Sequence, residues 1–305
     1  MPEELSLFVI MFNAFRYRLF VISRAVFVGI WCVCFFASNS TLSGTSDEQR
    51  LLHLTLQKQR LFEMFAEGVD AFTEQQLVDR LHKLSEAFAE YAADFPNDVM
   101  GLILWARLLQ VMEKDEAAMQ LFLKADALDP EIAVVKQQIG NHLAETGEGI
   151  NALSYLFRAV ELEPMEAVYH YQLGELLHHF RDTYIDKGIL TRANLDAAMQ
   201  RAFRQAALLQ TDEFDLQMRY GESYYDVESP DWERALNHWQ ALEVATTEVF
   251  REQIIALHLA RVLLELNRPK EALKALEDIH HTALRASRDF LLERCAKAIA
   301  LLPNE

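Results

Sequence analysis

An all-α chain of antiparallel helix hairpins is predicted by three observations. Helix breakers are scarce, with 7 Pro and 10 Gly in 305 residues, while 51% of the chain is hydrophobic. That supply favours helix over sheet and is enough for an extensive core. Pro96, Pro130 and Pro164 recur 34 residues apart. Between the prolines, small and large apolar residues alternate in one order, as expected where each unit buries its face only against its neighbours.

Residues 1–40 read as an address. Arg16, Arg18 and Arg24 precede the uncharged run from Ala25 to Ala37, and Ser38, Asn39, Ser40 and Thr41 then turn polar. This is the order of a signal peptide. Its 13 residues are short for a membrane span, which needs about 20. Cleavage after Ser40 is expected, with a membrane anchor as the alternative, and Met11 offers a second start after the acidic Glu3 and Glu4. Cys32 and Cys34 lie in the apolar run and Cys295 stands far downstream, which gives no disulfide framework.

Residues 41–95 are expected to form a divergent hairpin or cap from Asp47 to Phe72 and Glu74 to Ala93. Residues 96–282 hold the repeats. The first carries Ala106, Ala118, Phe122 and Ala125, and the second Gly140, Ala152, Leu156 and Ala159. The third has Leu173, Gly174 and Leu177, then Phe203 and Ala206. The fourth has Tyr220, Gly221 and Tyr224, then Ala235 and Trp239. The fifth has Leu259, Ala260 and Leu263, then Ala272 and Leu276. The small residues of the last three are 47 and 39 apart, so the third unit is stretched by an insertion near 180–194 expected to project from the stack. Pro130 and Pro164 suit a first helical turn, with Asp129 as a cap and Glu131 and Glu166 at the positive end. Residues 283–305 read as a closing amphipathic helix, as stacked repeats require.

This pattern resembles the tetratricopeptide repeat family. The resemblance implies a right-handed superhelical solenoid of helix hairpins, nested through alternating tiny and bulky side chains. It further implies a protein that binds another protein or peptide on the face of its first helices. Transferred to this chain, that face comprises Ile103 and Arg107, Gln137 and Asn141, Tyr171, Glu175 and His178, Met218, Glu222 and Tyr225, and Leu257 and Arg261. Some family members clamp a peptide's terminal carboxylate there with Lys, Asn and Arg. Glu175 and Glu222 occupy two of those positions, so a partner segment carrying Lys or Arg is expected instead.

Charge agrees with that expectation. The net charge is −17, with 26 basic against 44 acidic residues beyond residue 40, which disfavours nucleic acid and anionic membrane surfaces. Any membrane contact is assigned to the amino-terminal segment alone. The chain contains no His-Glu-X-X-His, Gly-X-Ser-X-Gly, Gly-X-X-X-X-Gly-Lys or Cys-X-X-Cys, so no catalysis, cofactor or metal is expected. Glu175 and His178 share a helix face, but their spacing reads as helix surface rather than a metal site. Tyr220, Tyr224 and Trp239 fall at packing positions, with Tyr225 directed elsewhere. The expected role is a non-catalytic adaptor or assembly factor of the bacterial cell envelope, exported to the periplasm. A small-ligand or glycan-binding solenoid is the alternative, and an enzyme subunit comes third.

Overall fold

The computed structural model describes residues 45–66 and 74–301. The expectations for residues 1–40, with Cys32, Cys34 and the cut after Ser40, lie outside the described residues. The described chain is all-α and divides into two compact units, one ending at Val135 and the other beginning at Lys136.

The first unit holds α1 (Ser46–Ala66), α2 (Glu74–Asp94), α3 (Val99–Val111) and α4 (Asp115–Leu128). Leu51, Leu54 and Leu61 of α1 join Leu84, Phe88 and Tyr91 of α2 and Leu104 and Leu108 of α3 in one buried cluster. Their three-and-four spacing puts them on single helix faces. Trp105 donates its indole N–H to Ser85 Oγ at 3.1 Å. Tyr91 donates to Asp98 Oδ2 at 2.6 Å, while Asp98 Oδ1 accepts from the Met100 amide and caps α3. Burial, followed by the Asp98 hydrogen bond, pushes the Tyr91 hydroxyl above its ordinary range.

Across the boundary run α5 (Ala133–Glu145), then α6 (Gly149–Leu162), α7 (Ala167–His179), the short α8 (Arg181–Asp186) and α9 (Arg192–Leu209). Next come α10 (Phe214–Glu222) with a 3-10 turn at Ser223–Tyr225, and α11 (Trp232–Ala245). The chain closes with α12 (Val249–Glu265), α13 (Pro269–Ala275) and α14 (Arg285–Ala300). Within the second unit, α6 packs on α7, α7 on α9, α9 on α10, and α10 on α11. In turn α11 packs on α12 and α12 on α13, with α14 against both α12 and α13 through buried Leu291 and Cys295.

The alternation of tiny and bulky residues is the packing device. A β-carbon at Gly140 would stand 2.8 Å from Leu156, one at Gly174 would stand 2.6 Å from the Phe203 ring, and one at Gly221 would clash still more closely with the Trp239 ring. Leu156, Phe203 and Trp239 are all fully buried. Bare helix backbone thus receives a large side chain from the paired helix, offsetting the roughly 1 kcal/mol that glycine costs in a helix interior.

The chain reverses by one repeated backbone turn. Glu113, Gly147, Gly188 and Asn267 have positive φ. The residue after each donates its amide to a carbonyl five positions back: Lys114 to Leu109, Glu148 to Leu143, Ile189 to Tyr184 and Arg268 to Leu263, at 2.7–2.9 Å. This is the left-handed helix stop that satisfies orphan carbonyls.

Two prolines sit elsewhere than expected. Pro130 and Pro164 lie in the turns three residues before α5 and α7, not in a first helical turn, and Pro96 has the same place before α3. Asp98 N donates to Phe95 O and Glu166 N to Glu163 O, so Pro96 and Pro164 take the second turn position, where fixed φ is an advantage and no N–H is needed. Asp129 closes α4, its carboxylate accepting from Glu131 N, and Glu166 caps α7 through Val168 N.

The stretch expected to project is pinned. Tyr184 of α8 is fully buried and donates to the Gly149 carbonyl at 2.8 Å, and the Phe180 ring lies against Gly149. Residues 186–189 at its tip are exposed.

Candidate functional site

The expected first-helix face resolves into parts with different roles. In the first unit Ile103 is buried and Arg107 half-buried. In the second unit Gln137 is buried, donating to Gln172 Oε1 at 3.0 Å and accepting from Gln138, and Met218 is also buried. Ile103, Gln137 and Met218 therefore pack inward and leave little side chain for a partner. Tyr171 meets Phe203 edge-on at 6.1 Å, and Leu257 packs half-buried against the core. Asn141 and Glu222 are half-exposed and Arg261 is exposed.

Glu175 and His178 belong to a charged network. Arg219 donates from Nε to Glu175 Oε1 at 2.6 Å and from Nη1 to Asp226 Oδ2 at 3.0 Å. Its guanidinium lies 4.1 Å over the Phe203 ring. His178 Nδ1 is 3.4 Å from Asp226 Oδ2, and Arg192 donates to both oxygens of Asp196 and to the Asp226 carbonyl. Asp196 also accepts from Glu228 N. Helices α7, α9 and α10 and the loop after the 3-10 turn are thereby tied together. The neighbouring carboxylates, Glu175 first, outweigh burial and hold Arg219 above its ordinary pKa, and burial pushes His178 down despite Asp226. Glu175 is thus engaged internally, which corrects the expectation that it waits for a basic partner. Among the described residues no group of three or more His, Cys, Asp and Glu is placed to hold a metal ion.

Tyr225 and Arg261 are brought together. The Arg261 guanidinium lies 3.7 Å above the Tyr225 ring, and the Tyr225 hydroxyl is 3.2 Å from His258 Nδ1. The His258 ring stacks on Trp239 at 4.2 Å and 8°, and Trp232 lies 5.7 Å from Tyr225. A cation over an aromatic face is worth about 0.5–1 kcal/mol when exposed. Here the aromatic is anchored on a packed stack, so the pair is held in place by the fold itself. The sequence reading missed His258 and Arg219, although Arg219 stands two residues before the small Gly221 and Glu175 one after the small Gly174.

Burial, with Arg261 and His238 nearby, holds His258 down to about 3, and burial also lowers His238 and His178. Unfolded imidazoles bind protons below about pH 6.5, whereas the folded ones resist. Stability is therefore full above that pH and falls as pH drops toward 3. Replacing His258 with Phe, which keeps a ring against Trp239, is expected to flatten the decline in Tm between pH 6.5 and 4. An unchanged slope counts against this account.

No protein-family model matches the chain, and no curated protein does. Solved structures do. The chain is similar to YrrB, described as a TPR protein with an unusual peptide-binding site, at 16% identity and TM-score 0.54, covering 71% of this chain and all of that one. It is similar to pilF of Pseudomonas aeruginosa at 14% identity and TM-score 0.52, covering 82% of this chain and all of that one. A third similarity is to the structure of Naa15/Naa10 bound to HypK-THB, at 14% identity and TM-score 0.53, covering 84% of this chain but only 35% of that one. With the glycine seams and repeated turns, these likenesses make the fold that of the tetratricopeptide repeat proteins.

Proposed function

We propose that the chain is a non-catalytic scaffold that holds a segment of another protein on the first-helix face of residues 136–301. The observation that carries this reading is the Arg261–Tyr225 pair, an exposed cation fixed over an aromatic ring that is itself stacked into the core. Aromatic and arginine anchors of this kind dominate binding energy because little side-chain freedom is left to lose. Glu222 is close enough to raise both Arg219 and Tyr225 electrostatically. With the net charge of −17, it favours a partner segment that is basic in balance. The order of residues 1–40 supports work in the bacterial cell envelope after export, by cleavage or by tethering. The similarity to YrrB, described as a TPR protein with a peptide-binding site, is consistent with holding a segment of another protein.

Photo-crosslinking in the native host tests the face. A photoreactive residue at Asn141 or Arg261 is expected to trap the same partner, while one at Glu161 or Lys274, exposed on the second helices α6 and α13, traps it at least about ten-fold less. Equal trapping from all four positions would sink the assignment.

A further inference from the structure

A cleft of about 340 Å³ is lined by Arg204 of α9, Tyr220 of α10 and Arg234, Asn237 and His238 of α11. Its lining holds two guanidinium groups and no carboxylate, in a chain whose net charge is −17. Among the described residues Arg204 has no ion-pair partner. Arg234 meets only Asp231, at 3.7 Å, with both side chains more than half exposed, and such a contact holds an arginine weakly.

The neutral groups complete a donor set. His238 Nε2 lies 2.9 Å from the Gln217 carbonyl, so that nitrogen carries the hydrogen, and burial keeps the ring uncharged. The Tyr220 hydroxyl is 2.7 Å from that of buried Tyr224. When Tyr224 donates, the Tyr220 proton is left for a ligand. Asn237 is exposed and offers an amide.

Guanidinium forks recognise paired oxygens, and two of them balance a dianion better than a single carboxylate. A phosphate monoester carries about −1.5 to −2 at neutral pH and three acceptor oxygens. We propose that this cleft binds a phosphate group, with Arg204 and Arg234 neutralising it and Tyr220 and Asn237 donating to it. Its lining includes neither Arg261 nor Tyr225, and the proposal does not rest on the role proposed for that pair.

Thermal unfolding of the full chain in inorganic phosphate, in glycerol phosphate and in acetate at equal ionic strength is the test. Phosphate or its ester is expected to raise Tm progressively with concentration, by about 3 °C at ten times the dissociation constant, and acetate is expected not to. Tighter binding of the ester assigns an esterified headgroup, and equal binding assigns free phosphate. Arg204→Gln with Arg234→Gln, both on exposed side chains, should unfold at the parent temperature without ligand and lose at least about ten-fold in affinity. Absence of a concentration-dependent shift in the parent, an equal shift in acetate, or an undiminished shift in the double variant would each overturn the proposal.

Discussion

Replacing Gly221 with alanine is expected to destabilise residues 136–301 by about 3 kcal/mol, the upper end for overpacking a filled core. The new methyl clashes with the Trp239 ring. That ring is fully buried and stacked on His258 at 4.2 Å, leaving it no direction in which to yield. Propensity alone predicts the opposite sign, since alanine is worth about 1 kcal/mol more than glycine in a helix. The measurement therefore separates packing from propensity. In thermal unfolding a fall of roughly 6–12 °C is expected for a unit of this size. Combining Gly221→Ala with Trp239→Leu, which vacates the ring's volume, should cost less than the sum of the two single changes. Additive losses would mean that the glycine and the indole do not share one seam.

The second large effect belongs to Arg219. Its side chain is 12% exposed, with Glu175 and Asp226 at 22% and 23%. Removing one member of a buried charged set strands the others, at about 3–5 kcal/mol when burial is complete. Because these carboxylates retain some water, about 3 kcal/mol is expected for Arg219→Ala in urea unfolding. Arg219→Lys should recover part of this, since an ammonium supplies the charge but not the fork that reaches two carboxylates. A loss below about 1 kcal/mol in the alanine variant would show that the network contributes little to folding.

Much of this fold was legible because its contacts obey a register. Gly140, Gly174 and Gly221 stand at matching points of successive repeats, and each partner follows in the next helix of its hairpin. Position along the chain therefore encodes position in space. Arg219 and Glu175 are 44 residues apart and meet between hairpins, where no period announces them. Tyr184 escaped notice for a related reason: its segment has no counterpart in the other repeats, and only the coordinates reveal its bond to Gly149. Pro130 and Pro164 punctuate the repeats as expected, but they stand in the turn before the helix rather than in its first turn. Fixed φ suits both a helix start and a β-turn, and sequence alone does not distinguish them. On the first-helix face, spacing groups the residues but does not show burial, so the expected set includes Gln137 and Met218, which face inward.

The four reversals at Glu113, Gly147, Gly188 and Asn267 are closed by main-chain atoms, with unrelated side chains at the left-handed position. A corner made this way places few demands on composition. A duplicated hairpin can be joined to its neighbour without inventing a connector, and units of unequal length can share one kind of bend. Growth by copying is thereby cheap, and later divergence is free to fall on the outward side chains, where binding preferences are written.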